Sequence, residues 1–196
     1  MARITLSTRE DILFRLLSVT PGEHNIVIYE DLRDFGKIYS EYCKQMLENK
    51  NYVVLLVIFS EDKHTVIENL EGVGIDTDTR LNDGSLLIEE AAFDFFCSKT
   101  AMQYYFSRLK GYSKNIGKDG LIILLDINCL YLFGDNESTE LLQFERNIVE
   151  GSHIFLADSS LLCCYPLAII GKLKDNRDKI NSSHHKIIHT VLDESG

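Results

Sequence analysis

The sequence lacks the glycine-rich loop with which nucleotide-binding proteins hold phosphate. Neither GxxxxGKS nor GxxxxGKT occurs, and the turn after the first predicted strand, Tyr29 to Asp34, contains three acidic residues and no glycine. A Walker-type site needs loop amides, a lysine on the phosphates and a Ser or Thr on magnesium. Gly72 and Gly74 follow a helix rather than a strand, so they are not a dinucleotide fingerprint. These absences argue against ATP hydrolysis of the usual P-loop kind.

Other absences exclude further classes of site. No CxxC pair occurs, so neither a zinc ribbon nor a thioredoxin-type site is encoded, and no GxSxG pattern provides the nucleophile elbow of a hydrolase. The five cysteines are an odd number in mostly apolar surroundings, which is typical of reduced, buried thiols. Cys163 and Cys164 point to opposite faces of a predicted strand and cannot readily form a disulfide. No catalytic constellation emerges, and we expect no enzyme and no cofactor.

Long apolar runs and linkers are also missing. No stretch approaches the ~20 apolar residues that a membrane-spanning helix needs, and the N-terminus turns charged at Arg9, Glu10 and Asp11 instead of forming a signal peptide. The chain has only two prolines and no low-complexity tract. We therefore expect a cytoplasmic chain that forms one domain over residues 1–196 and does not bind membranes.

Positive charge is scarce as well. The chain has 20 basic and 30 acidic residues, a formal net charge of −10, and no run of Lys or Arg. Nucleic acids and anionic membranes attract proteins with a positive surface potential. The charge balance therefore argues against direct nucleic-acid binding.

Residues 24–60 organise the predicted fold. Short apolar runs rich in Val and Ile, at 24–30 and 52–59, have the composition of strands buried on both faces. Between them, apolar residues recur at spacings of three and four, which predicts an amphipathic helix. Strand, helix and strand at this spacing predict a βαβ unit.

The remaining sequence continues the alternation of strands and helices. We predict an N-terminal helix over 8–19 and further strands at 85–89, 121–125, 161–165 and 185–191. The run at 121–125 is the most apolar and is expected at the sheet centre, whereas the partial alternation of the run at 185–191 suits an edge. About six strands alternating with helices predict a three-layer, doubly wound, mainly parallel α/β sheet with helices on both faces.

Ligands of such sheets bind outside the carboxyl ends of the strands. The residues predicted at those ends are mostly acidic or aromatic. We take nine of them as a candidate ligand-binding rim: Tyr29, Glu30, Asp31, Arg33, Glu89, Asp126, Asn128, Cys164 and Tyr165.

Acidic strand ends have a second interpretation, as ligands of a hard cation. Glu30, Glu89 and Asp126 carry the carboxylate oxygens that Mg²⁺ and Ca²⁺ prefer. Strand ends are also acidic because they face helix N-termini and solvent. We favour the explanation by helix N-termini and solvent, so no metal site is predicted.

The histidines are interpreted structurally. His184, His185 and His189 lie near the C-terminus, and two histidines four apart on a strand are too distant to chelate one ion readily. We therefore favour a solvated sheet edge for this group. His24 opens the first predicted strand, at the end opposite the usual ligand rim, where a lone histidine more often makes a structural hydrogen bond.

Several segments match one known domain in order and spacing. GEHNIVIYE at 22–30 corresponds to an opening motif, and GID at 74–76 followed by LNDGSLLI at 81–88 to a second landmark. Phe144-Glu145-Arg146, Cys164-Tyr165 and the closing strand from Lys186 follow in the same order. Together they resemble the MEDS domain, the sensory domain named for methanogen and methylotroph regulators.

The resemblance implies a RecA/KaiC-like α/β core that has lost its phosphate loop and acts as a sensor or interaction module in signalling and transcription regulators. It covers residues 22–191, which leaves 1–21 as an N-terminal helical extension. The chain departs from better-known members because it carries no helix-turn-helix or kinase region and diverges over 90–115. The ligand therefore does not carry over.

We expect a non-enzymatic sensory domain that binds a small molecule or a protein partner and forms a homodimer. An exposed helix face or the last strand would supply the dimer contact. The alternative is an atypical RecA/KaiC-like ATPase without a standard Walker A loop, which would use the turn at 29–34 and a metal held by Glu89 and Asp126. A purely scaffolding subunit is a third possibility.

Overall fold

The computed structural model describes residues 8–58, 61–89, 98–127, 137–156, 158–172, 182 and 184–190. Within these ranges the chain alternates strands and helices, as the sequence predicts. The helices are α1 (Arg9–Leu17), α2 (Leu32–Asn49), α3 (Lys63–Gly72), α4 (Thr77–Asn82), α5 (Lys99–Asn115), α6 (Glu137–Phe155) and α7 (Leu167–Lys172). The strands are β1 (His24–Tyr29), β2 (Tyr52–Val57), β3 (Leu86–Glu89), β4 (Gly120–Asp126), β5 (Ser159–Pro166) and β6 (Ile187–His189).

The six strands form one sheet in the order β3-β2-β4-β5-β1-β6, and every neighbouring pair is parallel. The predicted doubly wound α/β architecture is confirmed. The most apolar strand, β4, lies inside the sheet and the last strand, β6, lies at an edge, as expected from their sequences.

The two strands of the predicted βαβ unit are not neighbours. Strands β5 and β4 lie between β1 and β2. Helix α2 connects β1 to β2, so it must pass these two intervening strands on one face of the sheet. Local sequence carries the order of elements but not the order of strands, which depends on contacts between distant segments.

Each strand sends alternate residues to opposite faces of the sheet. On one face, which we call the α2 face, α1, α2 and α3 cover residues such as Val54 and Leu162. On the other, the α6 face, α5, α6 and α7 cover residues such as Leu55 and Leu161. Because both faces are covered, the strands are continuously apolar rather than alternating.

Helix α1 packs into the α2-face core. Thr8 and Asp11 form a capping box that starts the helix. Ile12 and Leu16 are buried among the residues of that core. An ion pair between Arg9 and Glu41, at 2.7 Å, joins α1 to α2.

Alanine substitutions at two glycines should change the free energy of unfolding in opposite directions. Gly84 has φ +74°, and an added Cβ would collide with the Tyr112 hydroxyl, so Gly84→Ala should lower the free energy of unfolding by about 1–2 kcal/mol. Gly111 lies inside α5 with nothing within 4 Å of an added Cβ, so Gly111→Ala should raise it by about 0.5–1 kcal/mol. Urea unfolding of both variants checks this, and effects of the same sign would contradict it.

Candidate functional site

A small pocket opens at the carboxyl ends of the central strands, on the α2 face. Its volume of about 30 Å³ has room for about two or three water molecules or a comparably small ligand. The lining is mostly apolar: Leu32, Phe35, Tyr39, Leu56, Val57, Ile58, Glu61, Leu124, Asp126 and Cys164.

Helix α2 forms one wall of the pocket. Leu32, Phe35 and Tyr39 follow one another at spacings of three and four, so they share one side of the helix. The floor comes from β2, β4 and β5, and in it Leu124 of β4 pairs with Leu56 of β2. On the other side of β4, Asp126 pairs with Cys164 of β5. The pocket therefore exists because β4 and β5 lie between β1 and β2.

A polar network fixes one carboxyl group of the pocket. Tyr39 Oη donates to Glu61 Oε2 at 3.0 Å, and Asn69 Nδ2 donates to Glu61 Oε1 at 3.1 Å. Asn69 Nδ2 also lies 3.2 Å from Tyr39 Oη. Both carboxyl oxygens of Glu61 are thus held in place, as binding requires of a preorganised acceptor.

Burial and neighbouring charges perturb two groups in the pocket. Burial raises the pKa of Glu61, the charges of Asp126 and Asp62 raise it further, and the hydrogen bonds to the carboxyl group only partly offset this. Burial and then Asp126 raise the pKa of Cys164 well above its usual value. The Cys164 thiol therefore keeps its proton and is a poor nucleophile.

The raised pKa of Glu61 predicts a pH-dependent contribution to stability. Between its ordinary pKa of 4.5 and the higher folded value, the folded chain binds more protons than the unfolded chain, so stability falls as the pH rises through this window. Glu61→Gln should flatten the profile of unfolding free energy above pH 4.5. Glu48→Gln, at an exposed position of α2, is the matched control, and an unchanged slope in Glu61→Gln would contradict the prediction.

A wider polar groove adjoins the pocket. It has a volume of about 480 Å³ and shares Leu32 and Glu61 with the pocket. Its lining contains three carboxyl groups and one guanidinium group: Asp31, Leu32, Arg33, Glu61, Asp62, Thr65 and Asn69. The groove therefore presents a mainly acidic entrance.

The N-terminus of α2 is capped by the chain itself. Asp31 Oδ1 accepts hydrogen bonds from the amides of Arg33, at 2.8 Å, and Asp34, at 3.1 Å. These are the first-turn amides that bind phosphate at the N-terminus of a helix when a glycine loop precedes it. Here a carboxylate already occupies them.

Four of the nine predicted rim residues come together at this site. Asp126 and Cys164 line the pocket, and Asp31 and Arg33 line the groove. Glu30 is exposed in the turn between β1 and α2. Asn128 lies outside the described residues.

The other predicted rim residues lie elsewhere. Tyr29 is a core residue, 3% exposed, and its ring stacks on Phe35 with centroids 4.6 Å apart. Glu89 and Tyr165 lie on the α6 face, where Glu89 accepts a hydrogen bond from Tyr105 of α5. None of these three lines the pocket: Glu89 and Tyr165 point to the other face of the sheet, whereas Tyr29 is on the α2 face but is packed in its core. Whether they contact a ligand stays a prediction.

The faces of the sheet also separate two of the candidate cation ligands, Glu89 and Asp126. Glu89 bonds to a helix of the α6 face, whereas Asp126 lines the pocket on the α2 face. The sheet lies between their carboxyl groups, so they cannot hold one ion together. The metal-dependent route of the ATPase alternative therefore loses its ligand pair.

A second group of polar side chains is buried at the amino end of β1, on the α6 face. It consists of His24 of β1, Glu145 of α6, Cys163 of β5 and His184, which precedes β6, and we call it the His24 cluster. These side chains are 0–3% exposed. One nitrogen, oxygen or sulfur atom from each residue lies within 4.8 Å of those from the other three.

Burial perturbs the titration of this cluster. Burial, followed by the charges of His184 and His185, lowers the pKa of His24 well below its ordinary value of 6.5. Burial and then Glu145 raise the pKa of the Cys163 thiol. In the absence of any other charge, His24 is therefore neutral and Cys163 is protonated.

The sequence did not reveal this cluster. His184 was interpreted as part of a solvated edge, and that interpretation was wrong, because its side chain is 0% exposed and lies 3.3 Å from Glu145. Strand β6 begins only at Ile187, so strand periodicity does not apply to His184. The residues are far apart in sequence, and the only available signal was that His24 and Glu145 both belong to segments that carry the family resemblance.

Comparisons with known proteins support the fold alone. No family model matches the chain, and no curated protein matches it. Among solved structures, the chain is similar to a KaiC-like protein from the hyperthermophilic archaeon Pyrococcus horikoshii, with a TM-score of 0.53 and 16% identity over 82% of this chain and 68% of that chain. The chain has a RecA/KaiC-like α/β fold. Within the described ranges, no helix has both the length and the apolar character to cross a membrane.

Proposed function

We propose that this chain is a non-enzymatic sensory domain of the MEDS type that binds a small molecule in the pocket at the carboxyl ends of its strands. The observation that carries the proposal is the location of the pocket, at the sheet edge where parallel α/β folds bind their ligands. The role that follows is the relay of a chemical signal in signalling or transcription.

The capped helix favours a ligand without phosphate. Asp31 occupies the two amides that a phosphate would need at the start of α2. Asp62 and Glu61 add negative charge to the groove beside it. A nucleotide would meet carboxylates where P-loop proteins in general offer free amides.

The lining of the pocket indicates the chemistry of the ligand. Its walls are aliphatic and aromatic, and its polar groups include the carboxyl groups of Glu61 and Asp126. Carboxyl groups recognise hydrogen-bond donors and cations. A ligand with a short apolar body and an ammonium or hydroxyl head, such as a short alkylamine or alcohol, fits both features.

Contacts at and beside the His24 cluster favour the MEDS part of this proposal. His24, Glu145 and Tyr165 come from three separate segments that resemble that family. Tyr165 Oη donates to Glu145 Oε1, and the other oxygen, Oε2, lies 3.7 Å from His24 Nε2. Segments chosen only for their resemblance therefore meet at one buried point.

Self-association through β6 is part of the proposal. Strand β6 is an edge of the sheet, and its Ile187 is 37% exposed, while Phe14 of α1 is 75% exposed. Edge strands pair readily with a second copy of the same edge. We expect a homodimer by light scattering and a monomer for Ile187→Lys; a monomeric wild-type chain would contradict this part of the proposal.

The fold also fits a second candidate, an atypical RecA/KaiC-like ATPase. The likeness to a KaiC-like protein favours it. Among the described residues, the α2 amides are already capped by Asp31, and Glu89 and Asp126 lie on opposite faces of the sheet. We therefore keep it as the alternative that the experiment must exclude.

A thermal-shift screen tests the proposal with propylamine, propanol, and ATP or GTP with Mg²⁺. A ligand at 100 times its Kd stabilises a protein by about 2.7 kcal/mol. We expect a shift with propylamine or propanol and none with the nucleotides. Leu124→Phe, which fills the pocket, should abolish the shift.

Leu87→Phe, a half-buried position on the α6 face, is the matched control and should respond like the wild type. A magnesium-dependent shift with ATP would overturn the proposal in favour of the ATPase. A shift that persists in Leu124→Phe would place the ligand elsewhere.

A further inference from the structure

The His24 cluster brings together four side chains that serve as ligands of transition metals. Two imidazoles, one thiol and one carboxyl group converge from β1, α6, β5 and the segment before β6. Zinc is bound in proteins by these three kinds of group. Imidazole and thiolate select zinc and similar ions over Mg²⁺ and Ca²⁺, which prefer oxygen.

The distances already approach those of a tetrahedral site. His24 Nε2 lies 3.2 Å from Cys163 Sγ and 3.7 Å from Glu145 Oε2, and His184 Nε2 lies 3.3 Å from the same oxygen. Four ligands at zinc bond lengths are separated from one another by about 3.3–3.8 Å. All four donor atoms lie within 4.8 Å of one another, so side-chain adjustments of about 1 Å complete the geometry.

The contacts converge instead of forming separate pairs. His24 Nε2 faces both Sγ and Oε2, while His184 Nε2 faces that same oxygen. A neutral imidazole nitrogen carries one proton or one lone pair and cannot satisfy two such neighbours. A cation at the centre would bind all the converging lone pairs at once.

Charge balance also fits a divalent ion. A thiolate and a carboxylate carry two negative charges, which a 2+ ion neutralises, and the two imidazoles add none. Buried charge is costly unless it is compensated in this way. The Tyr165 hydroxyl donates to Glu145 Oε1 and so orients the carboxylate, with Oε2 toward His24 and His184, as an outer partner does.

We propose that His24, Glu145, Cys163 and His184 bind one Zn²⁺ ion as a closed, four-ligand structural site. The Cys163 thiol releases its proton to solvent as the sulfur–zinc bond forms, with no change of oxidation state. The site ties the segment before the edge strand β6 to β1, β5 and α6. It lies on the opposite face of the sheet from the ligand pocket, so zinc binding here and ligand binding in the pocket are tested independently.

Metal analysis tests this site directly. The purified full chain is incubated with Zn²⁺, desalted and measured by mass spectrometry for zinc and sulfur. We expect one zinc per chain in the wild type and little or no retained zinc in Cys163→Ser and His184→Ala, because each variant loses one of the four ligands. Cys164→Ser is the matched control, since Cys164 is equally buried but lies on the α2 face, and it should retain its zinc.

Cobalt substitution reports the sulfur ligand itself. The wild type and Cys164→Ser loaded with Co²⁺ should show the thiolate-to-cobalt charge-transfer band and the intense visible bands of a tetrahedral site, and Cys163→Ser should lack the first. Tyr165→Phe should bind about 10–100-fold more weakly, as expected when an outer-shell partner is lost.

Several outcomes would overturn the site. They are a folded wild type that binds neither Zn²⁺ nor Co²⁺, zinc retained equally by Cys163→Ser, and a cobalt spectrum without a thiolate band. If Cys163→Ser does not fold, the wild-type cobalt spectrum alone decides.

Discussion

Phe35→Ala should lower the free energy of unfolding by about 3–5 kcal/mol. The Phe35 ring is 7% exposed and stands between two aromatic neighbours, stacked on Tyr29 and edge-on to Tyr39 at 5.4 Å. Its removal forfeits apolar burial and leaves a cavity that the rigid strand floor cannot close. Because most domains are stable by about 5–15 kcal/mol, this is a large fraction of the total.

Phe14→Ala is the matched control for this loss. Phe14 is 75% exposed on α1, and substitutions at such positions usually change stability by about 0.5 kcal/mol or less. Urea unfolding of both variants measures the difference. Equal effects of the two substitutions would mean that Phe35 does not pack as described.

Tyr165→Phe should lower the free energy of unfolding by about 1–3 kcal/mol. Tyr165 is fully buried, and its hydroxyl donates to Glu145 Oε1 within a site closed to water. Burial and then Glu145 raise the pKa of Tyr165, so the hydroxyl keeps the proton that it donates. Without it, the carboxyl oxygen loses a donor that water cannot replace. The measurement is made with a chelator present, so that it reports the hydrogen bond alone.

Tyr42→Phe provides the contrast. The Tyr42 ring is 1% exposed, but its hydroxyl has no hydrogen-bond partner among the described residues. Removing an unsatisfied buried hydroxyl recovers its desolvation penalty, so this variant should be neutral or more stable. A larger loss in Tyr42→Phe than in Tyr165→Phe would contradict the hydrogen-bond assignment.

The sequence was a good guide to the elements and to the location of the pocket at one end of the sheet. Apolar residues at spacings of three and four predicted the helices, and short continuous apolar runs predicted the strands, because burial of one helix face and of both sheet faces imposes these patterns locally. Asp126 and Cys164 were found because parallel strands bring their carboxyl ends to one edge. The same rule does not say which face a side chain joins, and Tyr165 points to the opposite face of the sheet.

What the sequence could not supply were contacts set by tertiary structure. Glu61 follows a strand by a few residues, yet it becomes a pocket residue only because Tyr39 and Asn69 hold it there. His184 and Glu145 meet because α6 lies over β1 and β5, a packing that no local spacing encodes. Adjacent residues Cys163 and Cys164 join different sites because a strand alternates its faces.

Methyl NMR of the full chain tests the central claim most directly. Propylamine and MgATP are titrated separately into protein labelled at Leu and Ile methyl groups. The account predicts that propylamine shifts the methyl signals of Leu56, Ile58 and Leu124, leaves Leu161 on the opposite face unchanged, and that MgATP shifts none of them. Shifts of the pocket methyl groups with MgATP, or a propylamine response centred on Leu161, would contradict it.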